Sequence, residues 1–216
     1  MILIFIKPKS IKYSINQIIM DVNHVFGKLS PSFEKYVNTP YVEMEFRLGK
    51  FNGKFFDTNI GKDKYQTIYK GLSKYEGWEK IVKNETQVFF RDSDGIRIIV
   101  NDDGDKIVMN KRKLKNEDFK KIPNIPFDFR FGISEEKIIS DDNLVMDKSK
   151  TKKRVSFIRK NVTIDMTEVT GDSNDIDSEE AISYQCEIEI MDPKKINFLN
   201  VIHKVNDIFI MLNNTK

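Results

Sequence analysis

The chain has 216 residues, with 36 Lys and Arg against 33 Asp and Glu for a net charge of +3; 39% of residues are hydrophobic and 32% charged. It is long enough to bury a substantial core and has the composition of a soluble globular protein, while the near-balanced charge excludes a protein that coats nucleic acid by bulk positive charge, so any basic function must be local. One cysteine, Cys186, excludes an internal disulfide and fits a reducing compartment.

The opening Met1-Ile2-Leu3-Ile4-Phe5-Ile6 is too short for a signal-peptide core or a membrane span and is closed by Lys7-Pro8-Lys9; it reads as an edge strand or an arm. Residues 11–28 have helical spacing, with Ile15, Ile18, Ile19, Val22 and Phe26 on one face. Ser30-Pro31 reads as a second helix start, serine capping and proline at the first helical position. A strand follows at 41–48, then a helix over 62–76 with Tyr65, Ile68, Tyr69 and Leu72 at core spacing. Strand-like runs at 86–91 and 96–100 flank the turn Asp92-Ser93-Asp94-Gly95, and Asn101-Asp102-Asp103-Gly104 leads into a run at 106–114. Further runs are 127–134, 152–158, 162–169 and 184–190. About eight strands joined mostly by short loops imply antiparallel meanders, and eight is a number that closes into a barrel. The tail from Asp192-Pro193 onward is an amphipathic helix with Ile196, Leu199, Ile202, Val205, Phe209 and Leu212, and the chain stops a few residues later, as a domain cut from a longer protein would. There is no repeat; short charged loops lie around 141–153 and 171–180.

Alternate side chains of a strand point to opposite faces. Glu43, Glu45 and Arg47 therefore share one face of the first strand, with Val42, Met44, Phe46 and Leu48 on the other; Gln185, Glu187 and Glu189 oppose Tyr184, Cys186, Ile188 and Ile190 on the last. Asp128, Arg130, Gly132, Ser134 and Glu136 share a face against Phe127, Phe129, Phe131 and Ile133. Lys150, Lys152, Arg154 and Ser156 alternate against Val155 and Phe157, and Asp165 and Thr167 against Ile164 and Met166. Lys111 and Lys113 share a face, and Arg97 lies between Ile96 and Ile98. An antiparallel sheet with one wet face would give the same alternation. The segregation of acids to the first and last strands and of bases to the middle ones favours a closed polar cavity instead. Two unit charges about 4 Å apart repel by about 4 kcal/mol at an effective dielectric of ~20, so converging glutamates need a cation, and an all-oxygen cluster suits Mg²⁺ or Mn²⁺. Lys and Arg would neutralise phosphate oxygens, Arg through its bidentate fork.

Glu-x-Glu-x-Arg-x-Gly at 43–49, paired with Glu-x-Glu at 187–189, resembles the metal-dependent RNA 5′-triphosphatases of fungal, protist and large-DNA-virus mRNA capping, members of the triphosphate tunnel metalloenzymes. Phe55 through Trp78 to Gly95-Ile96-Arg97, then Asp128-Phe129-Arg130 with Glu136, Lys152-Lys153-Arg154-Val155-Ser156 and Ile164-Asp165-Met166-Thr167, match the later family segments in order. The resemblance implies an α+β, mainly β fold: a closed eight-stranded antiparallel barrel forming a hydrophilic tunnel, packed on helices. It implies one tunnel domain over residues 1–216, with a helical arm at 1–40, the tunnel at 41–191 and a C-terminal helix at 192–213, within a longer capping enzyme. Glu43, Glu45 and Glu189 look like the metal ligands for Mg²⁺ or Mn²⁺. Glu136 and Glu187 look like holders of metal-bound or attacking water, with Asp165 a further water ligand and Thr167 beside it. Arg97, Lys111, Lys152 and Arg154 look like the phosphate contacts, with Lys113 an alternative to Lys111. Gln185 stands where fungal members carry another glutamate. Arg47 replaces the lysine of the adenylate-cyclase and thiamine-triphosphatase branch, which argues for the capping branch. The implied reaction removes the γ-phosphate of triphosphate-ended RNA, with nucleoside triphosphates as side substrates. A fused or associated guanylyltransferase is the expected partner, with no membrane or DNA, at an intracellular site of transcription: the nucleus, or a viral factory or virion. A tunnel phosphohydrolase acting on inorganic triphosphate or nucleotides, or a non-catalytic polyphosphate-binding module, is the alternative.

Other motifs carry less. Asn101-Asp102-Asp103-Gly104-Asp105 resembles part of a calcium loop but lacks its bidentate glutamate and reads as a hairpin turn. His24 and His203 sit on separate predicted helices without partners at zinc spacing, and Cys186 points to the apolar side as a packing residue.

Overall fold

The computed structural model describes residues 20–122, 125–140, 145–171 and 182–213. In chain order these form α1 (Val22–Tyr36), β1 (Val42–Asn52), β2 (Phe55–Asp57), α2 (Lys62–Ser73), β3 (Lys80–Arg91), β4 (Ile96–Asn101), β5 (Lys106–Phe119), β6 (Asp128–Ile138), β7 (Lys148–Arg159), β8 (Val162–Thr170), β9 (Ser183–Ile190) and α3 (Phe198–Asn213). Strands β1, β6, β5, β4, β3, β7, β8 and β9 lie edge to edge in that order, and β9 pairs back onto β1. Every pairing is antiparallel, so the eight strands close into a barrel, with β2 hung on the end of β1. Closure leaves the barrel strands with no open edge.

The barrel wall inverts the usual arrangement of apolar and polar faces. The apolar alternates of β1 (Met44, Phe46, Leu48), β6 (Phe129, Phe131, Ile133), β8 (Ile164, Met166) and β9 (Cys186, Ile188, Ile190) are buried outside the barrel, under the helices. Phe198 of α3 sits 5.4 Å from the Phe131 ring and 6.2 Å from that of Phe46, and stacks on Phe33 of α1 at 4.2 Å. α2 contributes Tyr65, Ile68 and Leu72 to the same core. A polar interior is affordable because the apolar core lies between wall and helices.

Glycine is required where backbone segments crowd. A Cβ on Gly49, the last residue of the first-strand motif, would lie 2.2 Å from the Asp57 carbonyl oxygen, so this glycine lets β2 fold back on β1. Gly95 has φ +74, and a Cβ there would meet the Lys111 carbonyl at 2.6 Å.

Several boundaries differ from the sequence reading. No helix starts at Ser30-Pro31: α1 starts at Val22, capped by the Asp21 side chain, and runs through Pro31. Proline forfeits the N–H that would reach the Gly27 carbonyl, but burial of Val25 and Leu29 and the Phe33–Phe198 stack hold the helix together. The C-terminal helix starts at Phe198, later than 192: a short 3-10 turn at Pro193–Lys195, capped by Asp192, gives way to extended backbone at Ile196. β2 has no counterpart among the predicted runs, and β3, β5 and β7 each extend beyond theirs. The proposed arm at Met1–Ile6, residues 11–19 of the first predicted helix, and 141–144 and 172–180 of the charged loops lie outside the described residues. Among the described residues no helix is long and apolar enough to cross a membrane.

One half-buried pair on α3 sets a pH dependence of stability. Burial pushes Asp207 up to about 7 against the pull of Lys204, and burial brings Lys204 down to about 8. An unfolded aspartate titrates near ~3.9, so between these values the folded chain holds a proton that the unfolded chain has released. The associated stability is fully present below the unfolded pKa and is lost as pH rises toward and through about 7. Asp207→Asn is expected to raise the melting temperature at pH 8 by a few degrees, at ~2–4 °C per kcal/mol, and to change little near pH 4. Thermal melts at both pH values check this.

Candidate active site

Register around the barrel brings the inward alternates together. Across β1 and β9, Glu45 faces Glu189 and Arg47 faces Glu187; on the other side of β1, Glu43 faces Ser134 and Glu45 faces Gly132. Asp165 of β8 stands between Ser156 and Glu187, and Thr167 between Arg154 and Gln185. On β5, Lys111 lies opposite Glu136. The residues singled out on separate strands therefore converge on one interior.

The acidic side is cross-braced by cations. Arg47 pairs with Glu45, and its Nε lies 3.1 Å from Glu187 Oε1. The Lys111 ammonium pairs with Glu43 and lies 2.7 Å from Glu136 and 3.5 Å from Glu45. Ser134 Oγ donates to Glu43 Oε2 at 2.6 Å. Burial alone would lower Lys111, but Glu45, Glu43 and Glu136 outweigh it and hold it above the ordinary lysine value. Burial raises Glu45, with Arg47 and Lys111 opposing and Glu187 and Glu43 adding to the rise. Burial also works to raise Glu187, yet Arg47, Lys152, Arg154 and Lys111 together hold it well below the usual carboxylate range.

The basic side comes from β7. Arg154 Nη1 lies 3.0 Å from Asp165 Oδ2 and Nη2 4.0 Å from Glu187 Oε2. Burial drops Lys152 to about 8, with Glu187 opposing and Arg154 and Arg97 reinforcing the fall. A buried, crowded lysine of this kind gains from an incoming anion. Arg97 lies opposite Phe90 and Met109, its guanidinium 5.4 Å from the Phe90 ring. The choice between the β5 lysines resolves by burial: Lys111 is enclosed among carboxylates, whereas Lys113 is exposed next to a bulge.

The donor set fits a hard divalent ion in its chemistry, although no group of acids, His or Cys among the described residues is assembled at ligand spacing. Burial beside Glu43, Asp165 and Glu45 pushes Glu189 up to about 8, against only a partial pull from Arg154. Asp165 Oδ1 and Thr167 Oγ1 are buried without a hydrogen-bond partner. Under-neutralised acid and orphaned oxygens on adjacent strands are what a cation and its waters would satisfy.

Some of the site escaped the sequence reading. The sequence places Arg47 on the charged face of β1 and otherwise marks it only as a family feature; in the structure it wedges between Glu45 and Glu187. The β5 bulge between Lys113 and Lys115 shifts the alternation, so that Asn116 pairs with Gly132 and Asp118 with Arg130, whose Nε donates to Asp118 at 2.7 Å. No periodicity reveals a bulge. Gln185 donates to Thr58 Oγ1 at 3.0 Å, and His24 and His203 are exposed on separate helices. Cys186 is buried and burial raises its thiol, as a packing residue requires.

Residues 62–210 match the family described as mRNA capping enzyme, beta chain. No curated protein gives a significant match. Among solved structures, the Schizosaccharomyces pombe Pct1 RNA triphosphatase is 20% identical with a TM-score of 0.67, the alignment covering 96% of this chain and 93% of that one. The same enzyme in complex with the Spt5 CTD is 20% identical with a TM-score of 0.67, covering 91% and 93%. At that identity the likeness is one of fold: a closed barrel around a hydrophilic tunnel.

Proposed function

The chain belongs to the mRNA capping enzyme, beta chain, family of RNA 5′-triphosphatases, and from that premise we propose that the residues inside its barrel remove the γ-phosphate of triphosphate-ended RNA by direct attack of water. The observation that carries this reading is the segregated interior: acids on β1, β8 and β9 facing cations on β5 and β7 inside one closed wall.

In this reading Glu43, Glu45 and Glu189 would hold a divalent cation, Mg²⁺ or Mn²⁺, which when bound supplies Lewis-acid polarisation of the γ-phosphate. Arg97, Lys111, Lys152 and Arg154 take the triphosphate oxygens and neutralise charge as it moves onto the leaving diphosphate. Glu187 and Glu136 accept hydrogen bonds from the attacking water, and Asp165, held by Arg154 through Oδ2, keeps Oδ1 for a further water. The new bond joins water oxygen to the γ-phosphorus, the β–γ bridge breaks in line with it, and diphosphate-ended RNA leaves without a covalent enzyme intermediate. The whole chain then acts as one tunnel domain, working with a fused or associated guanylyltransferase where transcripts are made.

The test compares phosphate release from triphosphate-ended RNA, ATP and tripolyphosphate, each with Mg²⁺ or Mn²⁺. Diphosphate ends plus inorganic phosphate are expected from RNA, and nucleoside triphosphates should be hydrolysed as a side activity with Mn²⁺ and little base preference. Release of pyrophosphate from RNA or ATP, leaving a monophosphate, overturns the mechanism. Turnover of tripolyphosphate without RNA turnover identifies a different tunnel phosphohydrolase, and tight binding without any turnover a polyphosphate-binding module.

A further inference from the structure

Phe90 lies on the inward face of β3, its register partners being Arg97 on β4 and Lys148 on β7. It is half-buried and takes no part in the core under the helices. Three cations surround its ring: the Arg97 guanidinium at 5.4 Å and the ammonium groups of Lys148 and Lys150, each at 5.9 Å. Lys148 is held beside the ring by Asp92, 2.6 Å away in the β3–β4 turn. An aromatic ring on the inner wall adds nothing to the grip on a triphosphate, which needs charge. It is the group that a nucleobase needs, since every base has a face that stacks.

The cations continue the phosphate site in one direction. Lys148, Lys150, Lys152 and Arg154 share the inward face of β7 at two-residue intervals, about 7 Å apart. Lys152 and Arg154 sit over Glu187 and Asp165, among the catalytic acids, while Lys150 and Lys148 lead away toward Phe90 and the start of the strand. Arg97 links the two regions: its guanidinium lies over the Phe90 ring, and its positive charge bears on Lys152, disfavouring that lysine's protonated form.

We propose that Phe90, Lys148 and Lys150 seat the first nucleotides of triphosphate-ended RNA, with a base stacked on the Phe90 ring and the following phosphodiester held by the two lysines. The proposal rests on the RNA-triphosphatase reading above and names the part of the substrate that the triphosphate site does not touch. Such a seat would hold RNA without sequence preference, because stacking and backbone charge read no base edge.

The test measures kcat and KM of Phe90→Ala and Phe90→Leu on short triphosphate-ended RNA and on tripolyphosphate, which has no base. Leucine keeps the apolar volume and removes the aromatic face, so it guards against a packing defect. Both variants should raise KM for RNA about ten-fold or more and leave tripolyphosphate kinetics unchanged, and Phe90→Trp should restore RNA affinity. Lys150→Ala should weaken RNA binding and lessen its salt dependence. Wild-type KM for RNA in both variants, or an equal loss on both substrates, overturns the proposal. A wild-type protein that turns over tripolyphosphate and not RNA overturns the functional reading instead, a result seen before any variant is made.

Discussion

Glu45→Gln is expected to abolish phosphate release at ordinary Mg²⁺ or Mn²⁺ concentrations while leaving the protein folded. Glu45 is 6% exposed, faces Glu189 across the β1–β9 ladder, and is flanked by Arg47 and Lys111. Glutamine keeps the shape and an acceptor oxygen but removes the charge. Loss of a group supporting a metal ligand costs ~10–100-fold in metal affinity or activity, so loss of a ligand itself should cost on the order of 100-fold or more. Stability should not fall, because burial disfavours the Glu45 charge and both flanking cations keep other carboxylates, Arg47 with Glu187 and Lys111 with Glu43 and Glu136. Glu189→Gln should behave alike: with its carboxyl pushed up to about 8, Glu189 is largely neutral at pH 7 before a cation arrives, so its amide analogue leaves folding intact. Phosphate release across a Mn²⁺ titration, paired with thermal melts, checks both. Partial rescue at raised Mn²⁺ is the expected signature of a weakened ligand set, and substantial activity of Glu45→Gln at ordinary metal concentration removes Glu45 from that set.

The same residues explain what the sequence could and could not reveal. A two-residue period is a local signal, so the inward faces of β1, β7, β8 and β9 were readable one strand at a time, and Phe46, Phe129 and Ile188 stood out as the opposite, core-facing set. Closure is not local. Pairing of β1 with both β6 and β9, and of β3 with β7, joins strands far apart in the chain; strand number and charge segregation favour a closed cavity without giving these pairings, and the family resemblance implies the barrel. Boundaries failed where tertiary packing outweighed local propensity, as at Pro31 inside α1 and at Ile196, which packs on the core in extended backbone rather than in the helix. Contacts among site residues were hidden for further reasons: the pairing of Lys111 with Glu43 joins side chains from strands that are not neighbours in the chain, and the register shift that sets Asn116 and Asp118 inward depends on one bulge with no sequence signature. Phe90 was overlooked because an apolar residue in an alternating strand reads as core by default.

Arg154 should show the second large effect and separate charge from geometry. Its guanidinium reaches Asp165 at 3.0 Å with one nitrogen and Glu187 at 4.0 Å with the other, so it fixes two acids while presenting positive charge to the interior. Arg154→Lys keeps the charge but cannot span both carboxylates; a partial loss, about ten-fold in kcat, is expected. Arg154→Ala removes the charge from the path of the migrating phosphoryl group and should cost ~10²–10³-fold, the scale for deleting one preorganised stabiliser. The alanine variant also leaves Asp165 buried without its cation, which alone could destabilise the fold. Arg154→Ala combined with Asp165→Asn resolves the two effects, because the double variant removes the orphaned acid. Thermal stability should recover in the double variant while kcat stays low, as expected of a residue acting on phosphate. Recovery of kcat together with stability would mean that Arg154 only holds the wall in place, and a scan in which Arg97, Lys152 and Arg154 all tolerate alanine at unchanged rates would overturn the tunnel as the reaction site.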